Sequence, residues 1–445
     1  MNTWYEKAVF YHMYPLGMTG APRTNDAGAP AIHRFKELGD WILHLTEMGF
    51  NAIYIGPLFE SSSHGYDTRN YRLTDRRLGD NEDFKQFTAL CHENGIRVVV
   101  DGVFNHTGRE FFAFQDIQKN RENSPYCSWY KGVNFWGNTP FNDGFGYEAW
   151  QGHFELPCLN LQNPEVRRYL FDVIQFWTSE FDIDGIRLDC ANVLDFQFMQ
   201  EMRAATRQMK PDFWLMGEVI HGDYARWANQ EMLHSVTNYE LHKSLYSGLN
   251  DHNFFEIAHN VRRLDPLGRI LYTFLDNHDE NRIASKLAKK SHLPLAYLLL
   301  FTLPGIPSVY YGGEWAMEGV RTRESDAALR PAVTVQEGQK LAGSLAAFIG
   351  KLAKIHSSCD AFWNGRYQEL LLTNRQYAFA RHGKTSTAII AANNDDAEAT
   401  VSIPVPTAAA SAINRLDNTA VSIENGKLTI TLPANTGVVL ELREE

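Results

Sequence analysis

Eight short runs of β-forming residues, separated by amphipathic helical segments over the first 357 residues, predict an α/β fold, a (β/α)8 TIM barrel. An overlong connection after the third run predicts an inserted subdomain there. A change of hydrophobic period after a helix near 338–356 predicts a C-terminal all-β sandwich. The expected division is a barrel over 1–106 and 164–357, an insert over 107–163 and a β domain over 358–445.

The β runs lie near 8–14, 52–57, 97–103, 184–189, 213–219, 235–240, 271–275 and 307–311. Between the first two, Phe35, Leu38, Ile42 and Leu45 recur at helical spacing within 31–48. Between the second and third, Phe84, Phe87, Leu90 and Cys91 do the same within 81–94. Asn163-Pro164 opens a helix carrying Val166, Leu170, Val173 and Trp177. Proline suits a first turn because its missing N–H has no intrahelical partner to lose. The connection from Thr107 to Asn163 is 57 residues long and holds thirteen aromatics, among them Phe111, Trp129, Tyr130, Trp136, Tyr147 and Trp150. It reads as a lid-like subdomain over one side of the barrel mouth. Each ring either packs the insert's own small core or offers a stacking surface. In the tail, segments 367–373, 376–381, 385–392, 399–403, 427–432 and 437–442 alternate as strands do, around a Pro/Ala-rich stretch at 404–412. The tail has no cluster of acids or histidines, so packing against the barrel is its expected role.

Composition narrows the function. A formal net charge of −11 argues against a nucleic-acid partner. The five cysteines, at 91, 127, 158, 190 and 359, are odd in number and form no CxxC pair, so reduced thiols are expected. No apolar run reaches the roughly 18 residues of a membrane span, and the N-terminal residues do not read as a signal peptide. A cytoplasmic location is the resulting expectation.

Four stretches carry the chemistry: Asp101-Gly-Val-Phe-Asn-His106, Gly185-Ile-Arg-Leu-Asp189, Gly217-Glu218 and Phe274-Leu-Asp-Asn-His-Asp279. Each places carboxylates where a buried strand emerges into a loop, which is how a barrel assembles a catalytic centre. Carboxylates with histidine and arginine, and no phosphate loop, point to glycoside hydrolysis. Arg187 and Asp189, two apart on one strand, face the same way, and a guanidinium beside a carboxylate favours the ionised form that a nucleophile needs.

These stretches, in this order, resemble the signature regions of the α-amylase superfamily, glycoside hydrolase family 13, over about residues 1–350. The tail resembles that family's C-terminal β domain. The resemblance implies that Asp189 is the nucleophile and Glu218 the general acid/base. It implies that Asp279 is the third carboxylate, stabilising the transition state. His106, Arg187 and His278 match residues around the sugar being cleaved, and Asp101 matches a structural aspartate at the barrel mouth. In His64-Gly-Tyr66-Asp67 the tyrosine matches one that stacks on a sugar ring and the aspartate one at the rim. Asn105 matches a calcium ligand of many amylases. The insert shows no acid-rich set to complete such a site, so the resemblance allows calcium and requires none.

Within the superfamily, Cys190-Ala-Asn192 and Glu218-Val-Ile-His221 resemble the neopullulanase and cyclomaltodextrinase branch, although Val193 and Cys158 depart from its pattern. The sequence opens on the first barrel strand, so that branch's N-terminal β domain is not expected and its dimerisation is not carried over. The expected activity is a retaining α-glucan hydrolase, cleaving mainly α-1,4 bonds of maltooligosaccharides or cyclic dextrins without an organic cofactor. A transglycosylase using the same site is the alternative. A non-catalytic amylase-like binding protein is a remote one, because no catalytic acid is missing.

Overall fold

The computed structural model describes residues 3–341, 343–363 and 365–443. Eight parallel strands form the central sheet: β1 (Phe10–Met13), β2 (Ala52–Ile55), β3 (Arg97–Gly102), β4 (Gly185–Leu188), β5 (Trp214–Gly217), β6 (Ser235–Val236), β7 (Tyr272–Phe274) and β8 (Ile306–Tyr310). Ladders join β6-β5-β4-β3-β2-β1-β8-β7 in that spatial order. A parallel bridge from Thr237 to Tyr272 closes the ring between β6 and β7. All eight predicted strands are present.

Strand periodicity separates the two cores. In β1, Phe10 points inward with Ala52, Tyr54, Val99, Trp214, Met216, Tyr272, Phe274 and Ile306, which fill the barrel axis. Tyr11 and Met13 point outward into the larger layer under the helices. Phe10 stacks on Trp214 with ring centroids 4.9 Å apart and plugs the barrel below the mouth. The outer layer is covered by amphipathic helices, including α1 (Phe35–Met48), α2 (Asn81–Glu93), α3 (Pro164–Phe181), α4 (Phe196–Met209), α5 (Tyr239–Asn250) and α6 (Phe254–Leu264), and by α7 (Leu293–Thr302), which is apolar almost all round and buried. Proline stands at the first turn of α3, where the Asn163 side chain caps the Glu165 N–H.

The helix expected near 338–356 is two helices, Val335–Leu341 and α8 (Ser344–Ser358), with Gly343 extended between them. Glycine is a poor helix interior residue, and here it breaks the run.

The insert folds on a helix, Phe112–Asn120, and a hairpin of Ala149–Trp150 with His153–Pro157. A bridge between His106 and Cys158 ties it to the end of the third barrel unit. Phe111, Trp129, Tyr130 and Tyr147 are buried and form its core, whereas Trp136 is 91 % exposed.

The tail is a two-layer β domain with strands β9 (Arg366–Leu372), β10 (Gln376–His382), β11 (Thr387–Asn393), β12 (Ala399–Pro404), β13 (Ser411–Asn414), β14 (Ala420–Ser422), β15 (Lys427–Leu432) and β16 (Thr436–Arg443). The β12–β15 pair packs on the larger sheet. β13 and β14 fall inside and beyond the Pro/Ala-rich stretch, where the alternation is too short to read as strands; β13 is recruited by pairing with β16, and β14 by pairing with β13. Among the described residues, no helix is long and apolar enough to cross a membrane.

Candidate active site

Three neighbouring strands deliver the acidic centre. β3, β4 and β5 are in register, with Asp101 opposite Arg187 and Arg187 opposite Met216. Because inward positions alternate, Asp101, Arg187, Asp189, Met216 and Glu218 share the face that lines the barrel axis. Backbone pairing runs past the named strands. The Asp189 N–H donates to the Gly102 carbonyl at 3.2 Å and the Glu218 N–H to the Leu188 carbonyl at 2.9 Å. Both carboxylates therefore ride on backbone that the sheet still fixes. Gly217 allows this approach: a Cβ there would lie 2.5 Å from Leu233 Cδ1 and 2.7 Å from Ala191 Cβ.

Arg187 is buried among three acids. Its Nη1 donates to Asp101 Oδ1 and Asp189 Oδ1, both at 2.9 Å. Its Nη2 lies 2.9 Å from Glu218 Oε2. One guanidinium cannot neutralise three carboxylates in a desolvated mouth. Burial pushes the Glu218 carboxyl up, and the charges of Asp189 and Asp279 add to the effect while Arg187 opposes it. Burial raises Asp101 as well, again against Arg187. Asp101 also accepts from Tyr54 Oη at 2.7 Å and Tyr66 Oη at 3.1 Å. Glu218 Oε2 accepts the Cys190 N–H at 3.1 Å, and the Cys190 thiol sits 3.1 Å from Asp189 Oδ2. A carboxylate oxygen of Asp189, the Cys190 Sγ and a carboxylate oxygen of Glu218 all lie within 4.8 Å of one another.

Asp279 arrives from the loop after β7 and meets a different environment. Enclosure in the mouth pushes its carboxyl up, but His278, Arg330 and Arg187 outweigh this and hold it well below the usual carboxylate range. Arg330 Nη2 contacts Asp279 Oδ1 at 2.9 Å, and His278 Nε2 lies 3.1 Å from its Oδ2. The same His278 Nε2 is 2.6 Å from Tyr66 Oη, and the two rings stack with centroids 5.6 Å apart. The mouth thus holds one carboxyl biased toward the protonated acid, Glu218, and one held as an anion, Asp279. Divergent carboxyl environments are what acid/base and electrostatic roles require.

Most of the sequence-predicted residues converge. Asp101, Arg187, Asp189, Glu218, His278, Asp279 and Tyr66 form one connected network. His106 is buried beside it with its Nε2 unpartnered, and it faces Trp150 in a stack with centroids 6.2 Å apart. Burial lowers the His106 imidazole against the pull of Asp189, which favours the neutral ring. Asp67 stands apart. It is buried, and its carboxylate accepts the Ser63 N–H at 3.1 Å and the Ser63 hydroxyl at 2.7 Å, bonds that fix the turn carrying Tyr66. Arg330, Tyr54, Tyr239 and Cys190 were not singled out from sequence as network members. Tyr239 Oη lies 3.5 Å from Glu218 Oε1, and the Asn277 amide donates to that Oη at 3.0 Å. Inward alternation on β2 could have pointed to Tyr54. Nothing local marks Arg330, which follows β8 and meets Asp279 across 51 residues.

The surroundings of Asn105 do not fit calcium. Its amide lies 3.1 Å from His106 Nδ1 and contacts the Cys158 thiol. Calcium takes six to eight hard oxygen ligands. Imidazole and thiol are the wrong chemistry.

The α-amylase catalytic-domain family matches residues 36–345. A cyclomaltodextrinase of Thermoanaerobacter pseudethanolicus is 31 % identical over 415 residues, covering 88 % of this chain and 71 % of that protein. A solved cyclomaltodextrinase structure superposes with a TM-score of 0.87 at 27 % identity, covering 98 % of this chain and 78 % of the other. The cyclic α-maltosyl-(1→6)-maltose hydrolase of Arthrobacter globiformis superposes with a TM-score of 0.83 at 25 % identity, covering 99 % and 100 %. The barrel, its strand-end acids and these matches lead to one conclusion: the chain belongs to the α-amylase family of glycoside hydrolases.

Proposed function

We propose that this enzyme cleaves α-glucosidic bonds, mainly α-1,4, in maltooligosaccharides or cyclic dextrins by a retaining, two-step mechanism. Asp189 attacks the anomeric carbon while Glu218 protonates the departing oxygen. The C–O bond breaks as the Asp189 ester forms. Glu218, now a carboxylate, takes a proton from water, and the activated oxygen displaces Asp189. Asp279, held as an anion by Arg330 and His278, stabilises the positive charge that develops on the sugar ring. Tyr66 and the neutral His106 present stacking and hydrogen-bonding surfaces to that sugar.

The observation that carries this reading is the pair formed by Asp189 and Glu218. Oxygens of the two lie within 4.8 Å and are held on one guanidinium. That bound on one oxygen pair is compatible with the roughly 5–5.5 Å carboxyl separation of retaining enzymes, against about 6.5–9.5 Å in inverting ones. The names of the relatives, cyclomaltodextrinase and cyclic α-maltosyl-(1→6)-maltose hydrolase, support small or cyclic dextrins as substrates. Transfer to a sugar acceptor is the second reading. Val193 and Ile220, each within four residues of a catalytic carboxylate, are exposed apolar side chains on which an acceptor ring could rest.

The test is proton NMR of the first products from maltohexaose. The α-anomer should appear first and mutarotate afterwards, and Asp189→Asn or Glu218→Gln should abolish nearly all turnover without unfolding the protein. First-formed β-anomer would refute retention. A variant keeping a sizeable fraction of the wild-type rate would refute its residue's role.

A further inference from the structure

The β domain meets the barrel through a polar joint far along the chain from the catalytic acids. Asn394, fully buried after β11, donates its amide to the Leu249 carbonyl at the end of α5 at 3.1 Å. The Phe254 N–H, at the start of α6, donates to the Asn374 carbonyl at 2.9 Å. Beside these bonds, His252, His292 and Asp396 each present a ligating atom, all within 4.8 Å of one another. His252 comes from the α5–α6 turn, His292 from the turn before α7, and Asp396 from the β11–β12 turn.

Among the described residues, two other groups of His, Cys, Asp or Glu lie as close together. One is the catalytic set of Asp189, Cys190 and Glu218, whose oxygens are taken by Arg187. The other is His33, Asp80 and Asp83, whose carboxylates close the capping box of α2. The joint differs because His292 and Asn435 keep unpartnered atoms, while Asp396 is held only by an exposed lysine and His252 only through Nδ1. His292 is 1 % exposed, and neither of its ring nitrogens meets hydrogen-bond geometry with a partner, the Asn435 side chain being the polar group nearest to doing so. A buried imidazole with both nitrogens unpaired is costly unless something else occupies it. Asn435, in the turn before β16, lies beside both His292 and Asp396, and its buried Oδ1 is likewise unpartnered. His252 turns its Nδ1 to the Asn394 carbonyl, which leaves Nε2 as the ligating atom. An imidazole fixed through its other nitrogen by a backbone carbonyl is the usual outer arrangement of a metal-bound histidine.

We propose that His252, His292 and Asp396, with Asn435 Oδ1 as a fourth ligand, bind a divalent transition-metal ion of the zinc class, which clamps the β domain to the barrel. Two imidazoles with oxygen donors suit such an ion and not calcium or magnesium. A tetrahedral ion with ligands at about 2.0–2.1 Å needs donors about 3.4 Å apart. The side chains, whose ligating atoms lie within 4.8 Å of one another, must therefore close to that spacing around the ion. Asp396 is free to do so: its side chain is 56 % exposed, and its only ion-pair partner among the described residues, Lys289, is 43 % exposed. The Lys289 ammonium, 2.5–2.6 Å from both carboxylate oxygens, neutralises the carboxylate that the ion would bind. The ion binds as that ammonium swings into solvent.

The test is calorimetric titration of zinc chloride into the EDTA-stripped full-length protein, with Tm measured in parallel. The wild type should bind one ion per chain and gain about 3 °C in Tm at a hundredfold excess over Kd. His252→Ala and His292→Ala should each weaken binding about a hundredfold or more and lose the Tm gain. Lys289→Ala, which removes the competing charge, should bind about tenfold tighter. His252 is only partly buried, so its variant and Lys289→Ala decide the matter even where His292→Ala does not fold. Three results would overturn the proposal: no saturable binding by about 1 mM zinc, unchanged affinity in His252→Ala, or an ion that inhibits turnover and persists in that variant. The last would place it on Asp189, Cys190 and Glu218.

Discussion

Replacing Arg187 by lysine separates charge from geometry at the heart of the site. The guanidinium works through two nitrogens, Nη1 on Asp101 and Asp189 and Nη2 on Glu218, each contact at 2.9 Å. A single ammonium keeps the charge but serves only one of these two positions. At least one charge-assisted contact is lost, at about 1.5–3 kcal/mol. If the loss falls on the transition state, kcat/KM drops about 10- to 150-fold. Tm should fall by about 2–3 °C, from an unfolding entropy of about 2.1 cal/mol/K per residue over the chain. The pH profile gives the sharper readout. Arg187 opposes the upward push of burial on Glu218. Removing Nη2 therefore raises the Glu218 pKa further, so the acid stays protonated to higher pH. The alkaline limb of kcat should move up even as the maximum falls. The assay is initial-rate hydrolysis of a short maltooligosaccharide between pH 4 and about 10, with Tm at each pH. A variant within about threefold of wild type, with an unmoved alkaline limb, would refute the idea that Arg187 both orients and tunes the pair.

Four further outcomes are expected. Asp184 is fully buried, its carboxylate bonded to His92, Arg97, Lys210 and the Val98 N–H. These partners hold its carboxyl well below the usual range against burial. Its stabilisation is complete above about pH 4 and lost as pH falls through the folded-state value, so Asp184→Ala should cost about 3–5 kcal/mol near neutrality and flatten the acid limb of Tm against pH. Stripping divalent ions with EDTA should leave kcat within about twofold, with nothing restored by calcium; prompt inactivation reversed by calcium would contradict the reading of Asn105. Trp129→Ala should destabilise by about 3–5 kcal/mol, because the ring is buried and its N–H donates to Glu165, whereas the exposed Trp136→Ala should stay within about 0.5 kcal/mol. In the same series, kcat/KM per bond on maltohexaose or β-cyclodextrin should exceed that on soluble starch, and a clear preference for starch would defeat the small-dextrin reading.

The strands and the acids they carry were legible because both are local. Alternation fixes which side of a strand faces the axis, so the pairs Arg187–Asp189 and Met216–Glu218 could be assigned to the mouth without knowing what lay opposite. The helices that cover the barrel followed from 3.6-residue spacing, and the end of α3's approach from Asn163-Pro164. Where local signals were weak, the reading thinned. β13 is a strand only because β16 pairs with it, and β14 only because β13 does, and Gly343 breaks a segment whose apolar spacing runs on. In the site, chain separation was the limit. Arg330 finds Asp279 through the closure of the barrel, Tyr239 reaches Glu218 from a helix start, and His252, His292 and Asp396 come from three turns. Asp67, expected at the rim with the sugar, is spent on the turn that aims Tyr66. By itself the sequence determined which residues are proposed to bear the chemistry and which way they face. The tertiary structure decided how they differ, because burial and neighbours brought from distant segments raise Glu218 and depress Asp279, although both are carboxyls emerging from strand ends.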